Sequence, residues 1–300
     1  GLVPPQPLFA LGAMTQGQVG HMITAALCGG QAAGRRPVAT VVTHALVDRS
    51  DPAFHHPTKP IGPFYLRQEA ERLARERHWQ VAEDAGRGWR RVVASPKPQG
   101  FLEADAIRAL VDAGFVVVAA GGGGIPVARA GAGIRGVDAV IDKDLSAERL
   151  ASVVGADTLV LLTGVDQVWL GFGTARQRAV DTMTADEAEQ HLADGEFPPG
   201  SMGPKVTAAI RFVRSGGRRV VITSPPRVPE ALAGRAGTST GSTRSSSRPL
   251  TSSTRSRTEM RSPQPTFMAS PAASGPAAAA SRQAWTALST KVKSRVWRPS

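Results

Sequence analysis

Apolar, β-branched runs recur along the first 240 residues, at 38–47, 115–119, 158–168 and 219–223. Segments with helical spacing of apolar positions lie between them, at 68–77, 103–113, 146–154, 185–193 and 205–214. Thr184 followed three residues later by Glu187 reads as a capping box opening the helix at 185. Continuous apolar strands separated by helices point to a sheet buried on both faces. The predicted class is α/β, a three-layer α/β/α sandwich with a mainly parallel central sheet. Residues 48–94 break the rhythm: they are rich in Pro, His and charge, with one helix and a hairpin near 89–93. They read as a small protruding lobe inserted into the main domain; a long surface excursion without a role fits the same pattern.

The chain changes character near residue 239. Beyond it Ser, Thr, Arg, Ala and Pro dominate and no helix or strand period is visible. Such a segment buries too little apolar area to offset its ordering entropy, so residues 239–300 are expected to be disordered. This tail also alters the meaning of the net charge of +12. It holds ten Lys and Arg against one acid, Glu259, whereas residues 1–238 hold 26 basic and 23 acidic residues. A basic tail with few aromatics and no recognisable binding fold gives little reason to expect nucleic acid as a partner. No apolar run reaches the length of a membrane span. The single cysteine, Cys28, excludes an intrachain disulfide framework and agrees with a cytoplasmic setting.

Several short segments could carry chemistry. Gly121-Gly122-Gly123-Gly124 follows the run at 115–119, and consecutive glycines let backbone N–H groups approach an anion; a tight turn without a ligand fits the same residues. Asp142-Lys143-Asp144 lies at a strand-to-helix junction, where two carboxylates can orient lysines that neutralise phosphate; a surface ion pair capping the helix is the alternative. Met202-Gly203-Pro204-Lys205 precedes a helix, and helix N-termini favour anions. Lys97 in Ser95-Pro96-Lys97-Pro98, and the lysine of Pro57-Thr58-Lys59-Pro60, have backbones stiffened by nearby prolines, which helps hold a side chain over a site; a rigid linker with a solvated lysine fits both segments equally. Asp166 closes the strand end Leu161 to Asp166, and Phe172 and Thr174 follow shortly after it; open α/β sheets bind ligands beyond the carboxyl ends of their strands. The six histidines show no metal spacing, and no protein-bound metal is expected.

In this order the segments resemble carbamate kinase of the amino-acid kinase superfamily. The resemblance rests on Leu11 to Gln18, Asp51 to Phe54, Pro57 to Pro63, Arg90 to Val93, Ser95 to Pro98, Gly121 to Pro126, Val140 to Leu145 and Gly200 to Val206. It implies a homodimer that transfers a phosphoryl group reversibly between carbamate and ADP/ATP, with Mg2+ carried by the nucleotide. In arginine catabolism the direction is ATP synthesis from carbamoyl phosphate. Carried onto this chain, the resemblance implies that Lys97, Lys143 and Lys205 surround the phosphoryl group and that Asp144 orients two of them. It places Gly121, Gly122, Gly123, Gly124, Asp142 and Gly203 on the substrate and phosphate side. Asp166, Phe172, Thr174 and Met202 fall on the nucleotide side. Departures from the family pattern are Gly164, where an acid is usual, and the lack of an opening Gly-Gly-Asn loop and of a later Gly-Asn-Gly turn. The domain of residues 1–238 is therefore expected to be N-terminally incomplete, and the tail to be a frameshifted or read-through end. An inactive remnant, or a nucleic-acid-binding protein acting through the tail, are the competing readings.

Overall fold

The computed structural model describes residues 6–29, 36–84, 86–198 and 200–241 and the backbone of residues 266–269. Along the chain, α1 (Leu8–Gly29) is followed by β1 (Val38–Val41) and β2 (His44–Leu46). β3 (Lys59–Tyr65), α2 (Arg67–Arg77), β4 (Gln80–Glu83) and β5 (Trp89–Val93) come next. Then follow β6 (Gly100–Phe101), α3 (Ala104–Asp112), β7 (Val116–Ala119), β8 (Ile125–Ala130) and β9 (Gly133–Gly136). The remainder comprises α4 (Lys143–Val153), β10 (Thr158–Leu162), β11 (Val168–Leu170), β12 (Arg178–Val180), β13 (Thr182–Thr184), α5 (Ala185–Ala193), α6 (Met202–Arg214), β14 (Arg219–Thr223), α7 (Val228–Leu232), β15 (Thr238–Gly241) and β16 (Thr266–Ala269).

Parallel pairing dominates the centre: β1 with β7, β2 with β8, and β10 with β14. Leu159, Leu161, Val220 and Ile222 on one face of the β10–β14 pair pack with Val206, Ala209 and Phe212 of α6 and Ala147 and Ala151 of α4. Val160 and Val221, on the other face, pack with Ala231 of α7. Strand side chains alternate between faces, so an unbroken apolar run is what a sheet covered on both sides requires. This is the α/β sandwich expected from the pattern.

The lobe is a three-stranded antiparallel sheet in the order β3–β5–β4, with α2 packed on it. The hairpin expected near 89–93 is the β4–β5 pair, and β3 adds the third strand. Glu83 Oε1 accepts from Gly86 N–H in the turn, and Arg90 reaches back to Asp84 at 3.0 Å.

Four departures from the sequence reading have local causes. The run at 38–47 breaks at Val42-Thr43 into β1, paired with β7, and β2, paired with β8: Gln16 of α1 takes the Thr43 N–H and shares its C=O, each at 3.0 Å, with Ile125 N–H of β8, which donates to the same oxygen at 2.9 Å. The run at 158–168 likewise divides into β10 and β11 around the turn that carries Asp166. Helix α1 was not predicted; its apolar residues do not form one stripe, and Gly20 packs so closely on β1 that a Cβ there would lie 2.4 Å from Thr40 Cγ2. Finally, the boundary expected after Thr238 falls inside β15, where Thr240 is fully buried. Thr266–Ala269, inside the segment expected to be disordered, pairs parallel with β10; the rest of the tail beyond Gly241 lies outside the described residues.

Candidate functional site

The polar centre is assembled at the N-termini of α4 and α6. Asp142 caps α4, its Oδ1 accepting from the N–H groups of Asp144 at 2.9 Å and Leu145 at 3.3 Å. Its Oδ2 accepts from Lys59 Nζ of β3 at 2.6 Å, which ties the lobe to the main domain. Burial pushes the Asp142 carboxyl upward, but the Lys59 ammonium and the two helix N–H groups outweigh it and leave it below the ordinary aspartate value.

Asp144, 2% exposed, is one residue inside α4. Its Oδ2 accepts from Lys205 Nζ of α6 at 2.8 Å and from Lys143 Nζ at 3.3 Å. Its Oδ1 is buried without a hydrogen-bond partner among the described residues. Lys205 is itself only 5% exposed. Burial pulls the Lys143 ammonium below the ordinary lysine value; Asp144 opposes that shift and the Lys205 charge adds to it. Three ammonium groups and two carboxylates are thus gathered beside two helix N-termini, and such termini stabilise negative charge.

The glycine loop borders this cluster. Ala120 adopts φ 52°, Gly121–Gly123 form a 3-10 turn, and Gly123 has φ 118°. A Cβ on Gly123 would sit 2.4 Å from the carbonyl oxygen of Ile141, the residue preceding Asp142. Glycine is therefore required by both dihedral and space. Ser146 Oγ of α4 donates to Gly123 O at 2.9 Å, and Ala120 N–H donates to Thr43 Oγ1 at 3.0 Å. Through Thr43 the loop is braced by the buried Gln16. On α6, Gly203 is buried with its N–H on Pro198 O at 3.0 Å. Met202 packs on the core cluster that holds α6 against the sheet.

The nucleotide-side candidates are more scattered. Asp166 accepts from Ser224 Oγ at 2.5 Å and lines a cavity of about 610 Å³ with Arg227 and Gly237, beyond the carboxyl ends of β10 and β14. Phe172, 63% exposed, and Thr174, whose Oγ1 donates to Gly171 O at 2.7 Å, lie on the β11–β12 turn and not in the wall of that cavity.

One lysine is not where the sequence reading put it. Lys97 donates its backbone N–H to Asp51 Oδ2 at 3.0 Å, and its side chain lines another cavity with Arg149 and Arg211. It makes no hydrogen bond or ion pair with Asp144. Lys59, which reasoning from the sequence left open between a side chain held over a site and a solvated lysine, stands in the cluster instead. The available signal was the Pro-Thr-Lys-Pro run, indistinguishable in kind from Ser-Pro-Lys-Pro. Among the described residues no three His, Cys, Asp or Glu converge as metal ligands.

Comparison with known proteins agrees with this architecture. The model of the amino acid kinase family matches residues 37–224, more than half of the chain. A carbamate kinase of Thermococcus kodakarensis is 50% identical over 238 residues, covering 79% of this chain and 76% of its own length. One of Pyrococcus horikoshii is 48% identical over the same shares. Among solved structures, carbamate kinase from Giardia lamblia bound to AMP-PNP superposes with a TM-score of 0.72 at 41% identity, covering 80% of this chain and 77% of its own. Matches of this identity and coverage establish that the chain belongs to the carbamate kinases of the amino acid kinase family.

Proposed function

We propose that the chain moves a phosphoryl group reversibly between carbamate and ADP/ATP, making carbamoyl phosphate in one direction and ATP in the other. The observation that carries this reading is Asp144, whose single oxygen holds both Lys205 and Lys143 at the mouths of two helices. Phosphoryl transfer asks a protein mainly for positioning and for neutralising charge spread over the transferring oxygens. Lys143 and Lys205 supply that neutralisation; Asp144 keeps both in place and opposes the burial that would discharge Lys143. Lys59, aligned by Asp142, takes the third place that the family resemblance gave to Lys97. The Gly121–Gly124 turn and the Gly203 end of α6 border the phosphate and carbamate oxygens. Asp166, with the cavity beside Ser224 and Arg227, forms the nucleotide side, and Phe172, Thr174 and Met202 are flanking groups. The cluster presents ammoniums, which suit phosphate oxygens and not a divalent cation, so Mg2+ enters on the nucleotide.

A homodimer fits the surface of α1. Leu11, Met14, Val19, Met22 and Ile23 are all at least 36% exposed, large apolar groups on one helix that a second copy would cover. No helix among the described residues is long and apolar enough to cross a membrane, and the reaction's substrates suit a cytoplasmic setting. Sedimentation of the full chain and of Met14→Glu tests the dimer: the variant is expected to shift to monomer, and an unchanged mass would place the interface elsewhere.

The activity is tested by measuring ATP formed from carbamoyl phosphate, ADP and Mg2+. Lys143→Ala and Lys205→Ala are each expected to lower turnover by at least about 100-fold, the scale of one lost transition-state charge contact. Turnover left intact by both substitutions in an active parent would sink the proposed mechanism.

A further inference from the structure

A second cationic hollow lies apart from the lysine cluster, where the two connections of the lobe pass over α4 and α6. Its volume is about 510 Å³ and its walls include Asp48 and Asp51 from the outgoing connection, Lys97 and Gln99 from the returning one, Arg149 of α4 and Arg211 of α6. Lys143 and Lys205 begin the same two helices but do not line it.

The hydrogen bonding decides what this hollow can hold. Both acids are already engaged within their own loop. Asp48 Oδ1 accepts from the N–H and the hydroxyl of Ser50, at 2.8 and 2.7 Å. Asp51 accepts from Ala53 N–H at 2.9 Å and from Lys97 N–H at 3.0 Å. Neither forms an ion pair with the three cations. Arg149 donates from Nε to the carbonyl of Gln99 at 2.8 Å, and Arg211 forms an ion pair with the buried Glu148, Nε to Oε2 at 3.2 Å, without a hydrogen bond to that oxygen. The terminal nitrogens of both guanidiniums, and Lys97 Nζ, have no hydrogen-bond partner among the described residues. Guanidinium forks of this kind match the oxygens of phosphate and carboxylate.

We propose that this hollow is a second anion site, taking a compact oxyanion of two or more charges, either a phosphoryl group or a small dicarboxylate. The ligand bridges Arg149 and Arg211 to Lys97, so that its binding ties both lobe connections to α4 and α6. The site does not depend on the phosphoryl-transfer reading, because none of its cations belongs to the Asp144 cluster.

The test is calorimetric titration of the full chain with inorganic phosphate in a Lys59→Ala/Lys143→Ala background, which removes two of the three ammoniums of the main cluster. Phosphate is expected to bind there still, and Arg149→Gln and Lys97→Met are each expected to weaken it by tenfold or more, the loss expected for one charge-assisted hydrogen bond. Both substitutions leave the buried Glu148–Arg211 contact intact, and Lys97 Nζ touches nothing whose loss could unfold the chain. Malonate titrated against bound phosphate separates the two sources. Displacement supports a general oxyanion site, and binding of phosphate alone supports the site with a phosphoryl group as its ligand. No phosphate binding in that background, or binding indifferent to both Arg149→Gln and Lys97→Met, overturns the proposal.

Discussion

Asp144→Asn removes one charge from a nearly dry pair and shows whether the centre is held by electrostatics or by packing. Asp144 is 2% and Lys205 5% exposed, and they meet at 2.8 Å. Neutralising the aspartate leaves the Lys205 ammonium buried with no counter-charge. Breaking a buried pair from one side typically costs about 3–5 kcal/mol, because the abandoned ion keeps its desolvation penalty. Lys143, whose contact with Asp144 is longer at 3.3 Å and whose side chain is 23% exposed, relaxes toward solvent and adds little. The expected loss for Asp144→Asn is therefore about 3 kcal/mol or more, and Lys205→Met should also destabilise, though by less, because it leaves the carboxylate with only the longer Lys143 contact at 3.3 Å. The double variant Asp144→Asn/Lys205→Met abandons no charge. It should be more stable than either single variant, a non-additivity of about 2 kcal/mol or more. Urea unfolding followed by tryptophan fluorescence reads all three, and ATP formation measured beside it should be lost in all three. If Asp144→Asn costs less than about 1 kcal/mol, or if the two single losses simply add, the pair is not the buried electrostatic unit described above.

Lys59→Ala is expected to lower kcat/KM for carbamoyl phosphate by about 100-fold and by more than Lys97→Ala does; the reverse order in steady-state assays would return the third ammonium to Lys97. Gly123→Ala forces a side chain onto φ 118° and against Ile141 O, so a loss of about 2 kcal/mol or more is expected, read as a lower urea midpoint, and an unshifted midpoint would mean the loop moves freely. Because burial lowers Lys143 below the free-lysine value of 10.5, turnover that needs its proton should fall on the alkaline side beginning below pH 10.5. The folded state holds that proton less tightly than the unfolded chain does, so the same group's contribution to stability rises over that pH window while activity falls. Lys143→Arg, which stays charged, should remove this alkaline limb from the pH–rate profile.

The elements readable from sequence are those whose cause is local. Helix α5 begins and ends as the pattern predicts because Thr184 and Glu187 make their reciprocal capping bonds within one turn. Strand β14 stands as an isolated apolar run with turns on both sides. Helices α4 and α6 each begin three residues before the apolar period shows, since their first turns, Lys143-Asp144-Leu145 and Met202-Gly203-Pro204, hold one large apolar residue apiece, too few to show a period. The division of residues 38–47 could not be read at all, because it depends on Gln16 meeting the backbone of Thr43 from 27 residues away. The same distinction governs the site. Lys143, Asp144 and Lys205 were legible because they sit on motifs at helix starts, where anion chemistry follows from the helix itself. Lys59 and Lys97 are locally alike, each a lysine between prolines at one crossing of the lobe. What separates them is that Asp142, 83 residues beyond Lys59, points its free oxygen at one of them, while Asp51 holds only the backbone of the other. That choice belongs to the docking of the lobe on α4, which no short window of sequence contains.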